Sequence, residues 1–303
     1  MSYAGEPRLI EVAGDVYAYE QPDGGWCLNN AGFVVGEHTV TVIDTAATQA
    51  RAEALRAAIA SVTPAVPDTI VNTHFHGDHV FGNFVFGPQA TVLAHRRTRD
   101  EVLASGLALQ GLWPGVEWGR IELRAPTVAL SGEIGLHVDD LELRVEHLGP
   151  AHTVSDSVVW LPHSRVLFAG DLVFAGGTPF VLMGSVQGSL EALERLRALD
   201  PVTVVPGHGP VSGPEVLETN AAYLRWLQGL AKEGVAAGLT PLELARSAGP
   251  GPFGELNEAE RLVANLHRAY GEERGLAPGS PLDVVAIFHQ LVEYHGRLPE
   301  CHA

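Results

Sequence analysis

The chain has 303 residues, of which 46% are hydrophobic and 18% charged, enough to bury one substantial core and too apolar for a disordered or fibrous protein. Its 19 Lys and Arg stand against 36 Asp and Glu, a formal net charge of -17, so no basic surface for nucleic-acid phosphates is expected. The longest apolar runs, such as VTVVP and VVWLP, are strand-sized, which argues against a membrane span; the opening MSYAGEPRLI lacks the basic and then apolar order of an export signal, and the expectation is a cytoplasmic protein.

In chain order, DVYAYE (15–20), AGFVVG (31–36) and TVTVIDT (39–45) alternate or run apolar around turn residues and predict strands. Between the first two lies GGWCLNN (24–30). An Ala-rich stretch from Thr48 to Ser61 predicts a helix, ended by Pro64 and Pro67. The β-branched run TIVNT (69–73) then predicts a strand that feeds THFHGDH (73–79), three imidazoles and a carboxylate from His74 to His79. His74 and His76 stand two apart and can point to one side of an extended backbone, with Asp78 and His79 just beyond Gly77. Neutral imidazole and carboxylate together are what Zn²⁺ prefers, and the cluster predicts a metal site at a strand end.

After the strand-like ATVLA comes the basic run HRRTR (95–99), which reads as a solvated face or, less simply, as a dock for an acidic carrier protein. A Gly-punctuated apolar insert, GLALQGLWPGVEWG, follows at 106–119. Strands are expected from about Glu142 to Phe168 and a helix from Ser189 to Ala198. Three hydrophobic stretches here end on further donors: LELRVEHL leads to His152 in GPAH, RVLFA to Asp171 in FAGD, and VTVVP to His208 in PGHG. The loop GGTPFVLMGS (176–185) lies directly after Asp171.

Beyond His208 the composition turns helical. Thr240-Pro241-Leu242-Glu243 has the form of an N-cap with Pro in the first turn and Glu at the third position; Asn257 with Glu260 and Ser280 with Asp283 repeat the device, predicting three capped helices. Their apolar positions, such as Leu262, Leu266 and Tyr270, or Val284, Ile287, Phe288 and Leu291, fall at helical spacing and predict packing onto the core or onto a second subunit of a homodimer. Cys27 and Cys301 could pair in principle, but at opposite ends of a chain without a secretion signal they are expected as free thiols. Other histidines, such as His38, His137 and His267, lie outside any ligand spacing.

Taken together, HxHxDH, His152, Asp171 and His208 resemble the metallo-β-lactamase-fold hydrolases. The resemblance implies an α+β fold, a four-layer αβ/βα sandwich over 1–213, with a C-terminal helical extension over 214–303 packed on it. It implies two Zn²⁺ per chain: one on His74, His76 and His152, the other on Asp78, His79 and His208, with Asp171 between them. Asp171 and Asp78 are then the catalytic carboxylates, Asp78 also as a proton acceptor. Asp44, closing its strand, could orient a ligand His or equally cap the next turn. Gly77 and Asp171 depart from the flavodiiron and many true β-lactamase patterns, which steers toward glyoxalase II, lactonases and other thioester or ester hydrolases.

NTHFHGDHVFGN, GLWPGVEWG, LRWLQGLA and ERLVANLHRAY are further similar to the second-ring cyclases of actinorhodin-type aromatic polyketide pathways, over nearly the whole chain. That resemblance implies closure of the second ring of an acyl-carrier-protein-bound poly-β-ketone by aldol condensation, with release by thioester hydrolysis. The alternatives are a generic di-zinc thioester or ester hydrolase and a non-catalytic, zinc-stabilised carrier-docking protein. For an aromatic substrate the three loops would supply walls: Trp26 and Asn30 from the first, Trp113 and Trp118 from the second, Phe180 and Met183 from the third. The same rings could instead be core filling.

Overall fold

The structure is a computed structural model and describes residues 6–21 and 23–303. Seven strands form the first sheet in chain order: β1 (Arg8–Ala13), β2 (Val16–Glu20), β3 (Ala31–Val35), β4 (Val40–Ile43), β5 (Pro67–Val71), β6 (Thr91–His95) and β7 (Val128–Leu130). β1 to β4 pair antiparallel. From β4 to β7 the pairing is parallel, because each return crosses through helical chain: α1 (Gln49–Val62), then the single turn α2 (Gly77–Val80), then α3 (Arg96–Ser105) and α4 (Leu109–Leu112).

The second sheet has the order β12-β11-β10-β9-β8, with β8 (Glu133–Val138), β9 (Leu141–His147), β10 (Ser157–Leu161), β11 (Val166–Phe174) and β12 (Thr203–His208). Only β11 and β12 run parallel in it, joined through α5 (Val186–Ala198). Val34, Ile43, Val71 and Leu93 of the first sheet meet Leu143, Val145, Val159 and Phe168 of the second in one buried cluster. Each such side chain contributes about 1.5–3 kcal/mol by leaving water. The outer face of the first sheet is covered by Leu55 and Ile59 of α1. The outer face of the second packs on α5 and on α6 (Glu215–Ala237) and α8 (Arg261–Glu273), flanked by α7 (Pro241–Ala248) and α9 (Val284–His295). This is the expected four-layer sandwich, mixed α+β, with C-terminal helices.

Several helix starts follow the expected chemistry. Thr48 accepts from the Arg51 amide ahead of α1, and Thr240 and Glu243 form a reciprocal capping box ahead of α7. Three differ. α5 begins at Val186 with Ser185 as its cap, a turn earlier than expected at Ser189. α9 is capped by Asp283, whose carboxylate accepts from the Ala286 amide, and not by Ser280, whose carbonyl is engaged by Arg268. α8 has no side-chain cap: Asn257 is bonded through its backbone to Gly176 and Thr178, and Glu260 turns its carboxylate to the Trp26 indole. The 23-residue α6, the longest helix, starts without any side-chain cap and so gave no such signal.

Of the basic run, Arg96 and Arg97 are exposed at the start of α3, while Thr98 is buried and Arg99 donates to the Pro126 carbonyl. Among the described residues, no helix is long and apolar enough to cross a membrane.

Candidate metal centre

The donors converge at one edge of the sandwich because each lies in or follows a strand of one sheet or the other. After β5 the chain turns through Thr73, whose amide and hydroxyl both donate to the Asp44 carboxylate at the end of β4, at 2.8 and 2.7 Å. That anchor sets His74 and His76. The single turn α2 then presents Asp78 and His79, and His79 Nδ1 donates to the same Asp44 carboxylate at 2.8 Å. The two readings left open for Asp44 therefore coincide: it fixes the turn and orients His79, from a left-handed backbone with φ of 56°.

Asp171 lies within β11, not beyond it. The ladder to β12 is irregular around Gly170, which has φ of 50° and presses against Thr73; a Cβ there would lie 2.7 Å from the Thr73 hydroxyl. The bulge aims Asp171 between the sheets, and Gly207 on β12 gives it room, since a Cβ at Gly207 would sit 1.9 Å from Asp171 Oδ1. Gly207→Ala is accordingly expected to push the carboxylate aside and give a sub-stoichiometric metal content, read by elemental analysis of the purified protein.

His152 lies in the β9–β10 connection. Asp156 ties that loop by accepting from the Ala151 and Thr153 amides and the Thr153 hydroxyl, and His152 Nδ1 donates to the Phe180 carbonyl. His208 ends β12.

Two groups of donor atoms result: His74, His76, His152 and Asp171 in one, and Asp78, His79 and His208 in the other, the atoms of each within 4.8 Å of one another. That is close to the span of ligands around an ion bound at about 2.0–2.2 Å. The carboxylate of Asp171 is the shared member by distance. Its Oδ2 is 3.3 Å from His152 Nε2, 3.4 Å from His208 Nε2 and 3.8 Å from His74 Nε2, and its Oδ1 is 3.1 Å from His79 Nε2.

Whether these residues fit metal can be read from their polar atoms. His74 Nε2, His79 Nε2 and Asp171 Oδ1 are buried without a well-aligned hydrogen bond among the described residues, a costly arrangement unless an ion takes their lone pairs. His152 Nε2 and His76 Nδ1 face each other at 2.9 Å, and His76 Nε2 is buried without a partner among the described residues.

Electrostatics agrees. Burial, with His79 adding, drives His74 well below the usual imidazole range, and burial with His152 takes His76 to about 3. Burial alone would lower His79 and His208. Asp171 with Asp44 and Asp78 outweighs it at His79, which is held well above the usual range, and Asp171 with Asp78 takes His208 to about 9. Burial would raise the two carboxyls, but His79 and His208 bring Asp78 down to about 2, and the surrounding imidazoles, His208 first, hold Asp171 well below the usual carboxylate range. The carboxylates thus require nearby cations, and divalent ions would replace the imidazolium protons.

The centre opens into a cavity lined by Trp26, Trp113, Phe174, Phe180, Met183 and Phe288, with His76, Asp78, His152, Asp171 and His208 at its floor. Trp26 packs on Trp113 and Phe180 at ring-centroid distances of 5.5 and 5.2 Å, and Trp113 on Phe288 at 5.3 Å. Two expected wall residues are placed elsewhere. Trp118 is buried edge-on to Phe81, its indole donating to the Trp113 carbonyl, because the insert folds back on α2. Asn30 uses its side chain on the Pro206 and Gly209 carbonyls and the Gln21 amide, which holds the end of β12 beside His208. His38, His137 and His267 belong to neither donor group.

Sequence reading missed a polar stripe on α8. Arg261, Asn265 and Arg268 are buried at helical spacing and donate to the carbonyls of Thr178, Pro179 and Leu182, so α8 grips the loop whose Phe180 carbonyl orients His152. Their spacing of four and three was the only available signal. The two cysteines are free, as expected, yet they are neighbours: a bridge pairs Trp26 with Cys301, and burial together with the Cys301 thiol pushes Cys27 up. A mild oxidant such as diamide should remove both titratable thiols without forming dimers, and Cys301→Ser should leave Cys27 unreacted.

Comparison with known proteins gives a consistent picture. The family description "Metallo-beta-lactamase superfamily" matches residues 24–208. The chain is 30% identical to 2,4-dinitroanisole O-demethylase subunit alpha of Nocardioides sp. over 66% of its own length and 62% of that protein's, and so spans somewhat less than two thirds of that relative. It is 24% identical to metallo-beta-lactamase type 2 of Bacteroides fragilis, over 69% of this chain and 82% of the relative, and 30% identical to hydroxyacylglutathione hydrolase of Synechococcus sp., over 45% and 46%. The metallo-beta-lactamase from Pontibacter korlensis shares the fold, with a TM-score of 0.62 at 20% identity, covering 73% of this chain and 99% of that one. Because the match spans residues 24–208, more than half of the sequence and the whole stretch from His74 to His208, the chain belongs to the metallo-beta-lactamase superfamily.

Proposed function

We propose that the protein is a binuclear zinc hydrolase acting on thioesters or esters with an aromatic or otherwise apolar acyl part. One observation carries the reading: both donor groups open into a single cavity whose walls are aromatic. The imidazole and carboxylate donors suit zinc, which when bound lowers the pKa of a coordinated water toward about 7 and polarises a carbonyl. The chain's own residues do the rest. Asp44 and the Phe180 carbonyl fix the rings of His79 and His152, Asp171 holds the two groups together, and Trp26, Trp113 and Phe288 exclude water and hold the acyl group by stacking. The similarity to hydroxyacylglutathione hydrolases supports a thioester substrate class.

The apolar, aromatic-rich walls are also compatible with a second reading, in which the same site closes a ring of a carrier-bound poly-β-ketone before releasing it. A phenyl thioester of an aromatic acid and a carrier-tethered poly-β-ketone mimic, each followed by mass spectrometry, separate the two. The hydrolase reading expects the free acid from both. A product short by one water would establish ring closure, and no turnover of either by the zinc-loaded protein would remove both readings.

A further inference from the structure

Arg261 is 2% exposed, yet it is the only Lys or Arg among the residues lining the cavity. Its guanidinium lies 4.4 Å from the centroid of Trp26 and 5.1 Å from that of Phe174. Nη1 donates to the Thr178 carbonyl, but Nε is buried without a partner among the described residues. A guanidinium carries five N–H donors in a planar fork, and leaving donors unpaired in an apolar wall is costly. Arg268, which holds the Leu182 carbonyl with two donors, likewise leaves Nη1 without a partner among the described residues, but it does not line the cavity, whereas Arg261 does.

Phe174 also stacks on His208, with centroids 5.2 Å apart and planes within 9°. One aromatic ring therefore separates the guanidinium from a donor of the metal centre. The cavity has carboxylates and imidazoles at its floor and a desolvated cation one ring away in its wall; the charge of Arg261 also acts on Glu258 and Glu260, but neither forms a close ion pair with it among the described residues.

We infer that the substrate carries an anionic oxygen group, a carboxylate on its apolar body about one aromatic ring from the reacting carbonyl, and that Arg261 receives it. The inference rests on the hydrolase reading only for the position of the reacting carbonyl. Arg261 is thus a specificity-determining residue, and its pairing with a planar carboxylate would be bidentate and strengthened by exclusion of water.

The test uses the zinc-loaded full chain and two isosteric probes, the S-phenyl thioesters of 4-carboxybenzoic and 4-carbamoylbenzoic acid, with kcat and KM for each. In parallel, quenching of tryptophan fluorescence gives Kd for the unreactive pair terephthalamate and terephthalamide. The carboxylate member of each pair is expected to be favoured about tenfold to a hundredfold, the worth of a charge-assisted hydrogen bond. Arg261→Met should bring the ratio close to one, and Arg261→Lys, which keeps the charge and loses the fork, should leave an intermediate ratio.

Equal treatment of the two probes by the native protein would overturn the inference. So would a preference that survives in Arg261→Met, because the carboxylate would then be held by the metals. Should Arg261→Met fail to fold, an undiminished ratio in Arg261→Lys would count against it equally. A Kd preference that follows Arg261 without turnover of either thioester would leave the anion site standing and remove the hydrolase reading.

Discussion

Replacing Asp171 by Asn is expected to abolish binding of the second metal equivalent and to lower hydrolysis by about a thousandfold or more. The reasoning is electrostatic. Asp171 lies within 3.8 Å of four imidazoles and is the only carboxylate that touches both donor groups. Asn keeps the shape that Gly207 accommodates but removes the charge; the His74, His76 and His152 group is then left without a carboxylate, while the other group keeps Asp78 and retains one metal equivalent. Metal content per chain and kcat/KM on an aryl thioester report the two effects separately, and circular dichroism should show the fold retained. Full metal loading in Asp171→Asn would show that Asp171 does not join the two sites.

The second large effect is at Asp44. Removing this carboxylate leaves the Thr73 amide, the Thr73 hydroxyl and His79 Nδ1 buried without their acceptor. Breaking a buried charged pair costs about 3–5 kcal/mol, and loss of the group that orients a metal-binding histidine costs about 10–100-fold in metal affinity. Asp44→Ala also places Ala in a left-handed backbone conformation, which adds to the loss. Asp44→Asn tolerates that backbone and keeps the shape, so it isolates the charge. Urea midpoints should fall further for Ala than for Asn, while zinc affinity should fall in both. Unchanged zinc affinity in Asp44→Asn would limit Asp44 to a turn-forming role.

The seven residues that the structure gathers into two donor groups could be named from the sequence because each lies in, ends or follows an apolar strand, and such strands meet at one edge when two sheets pack. The sandwich itself was legible for the same reason, through its alternating strands and the Thr48 and Thr240 helix starts. What escaped depends on contacts between distant segments. Asn30 and Trp118 sit in aromatic or Gly-rich loops, as wall residues would, and only the folded chain shows Asn30 bonded to the end of β12 and Trp118 turned onto Phe81. Arg261 belongs to a helix more than fifty residues beyond His208, and nothing local marks it as packing on Trp26 in the cavity wall. The neighbouring of Cys27 and Cys301 has the same origin.

In the proposed function two divalent ions, held by these seven residues, make the aromatic cavity a hydrolytic site. The most direct test is to titrate the metal-free protein with Zn²⁺ while following hydrolysis of an aromatic thioester. The rate should be negligible without metal and rise to a plateau at two equivalents per chain, one for each donor group. Hydrolysis at full rate in the metal-free protein, or saturation with two equivalents and no hydrolysis, would contradict that function.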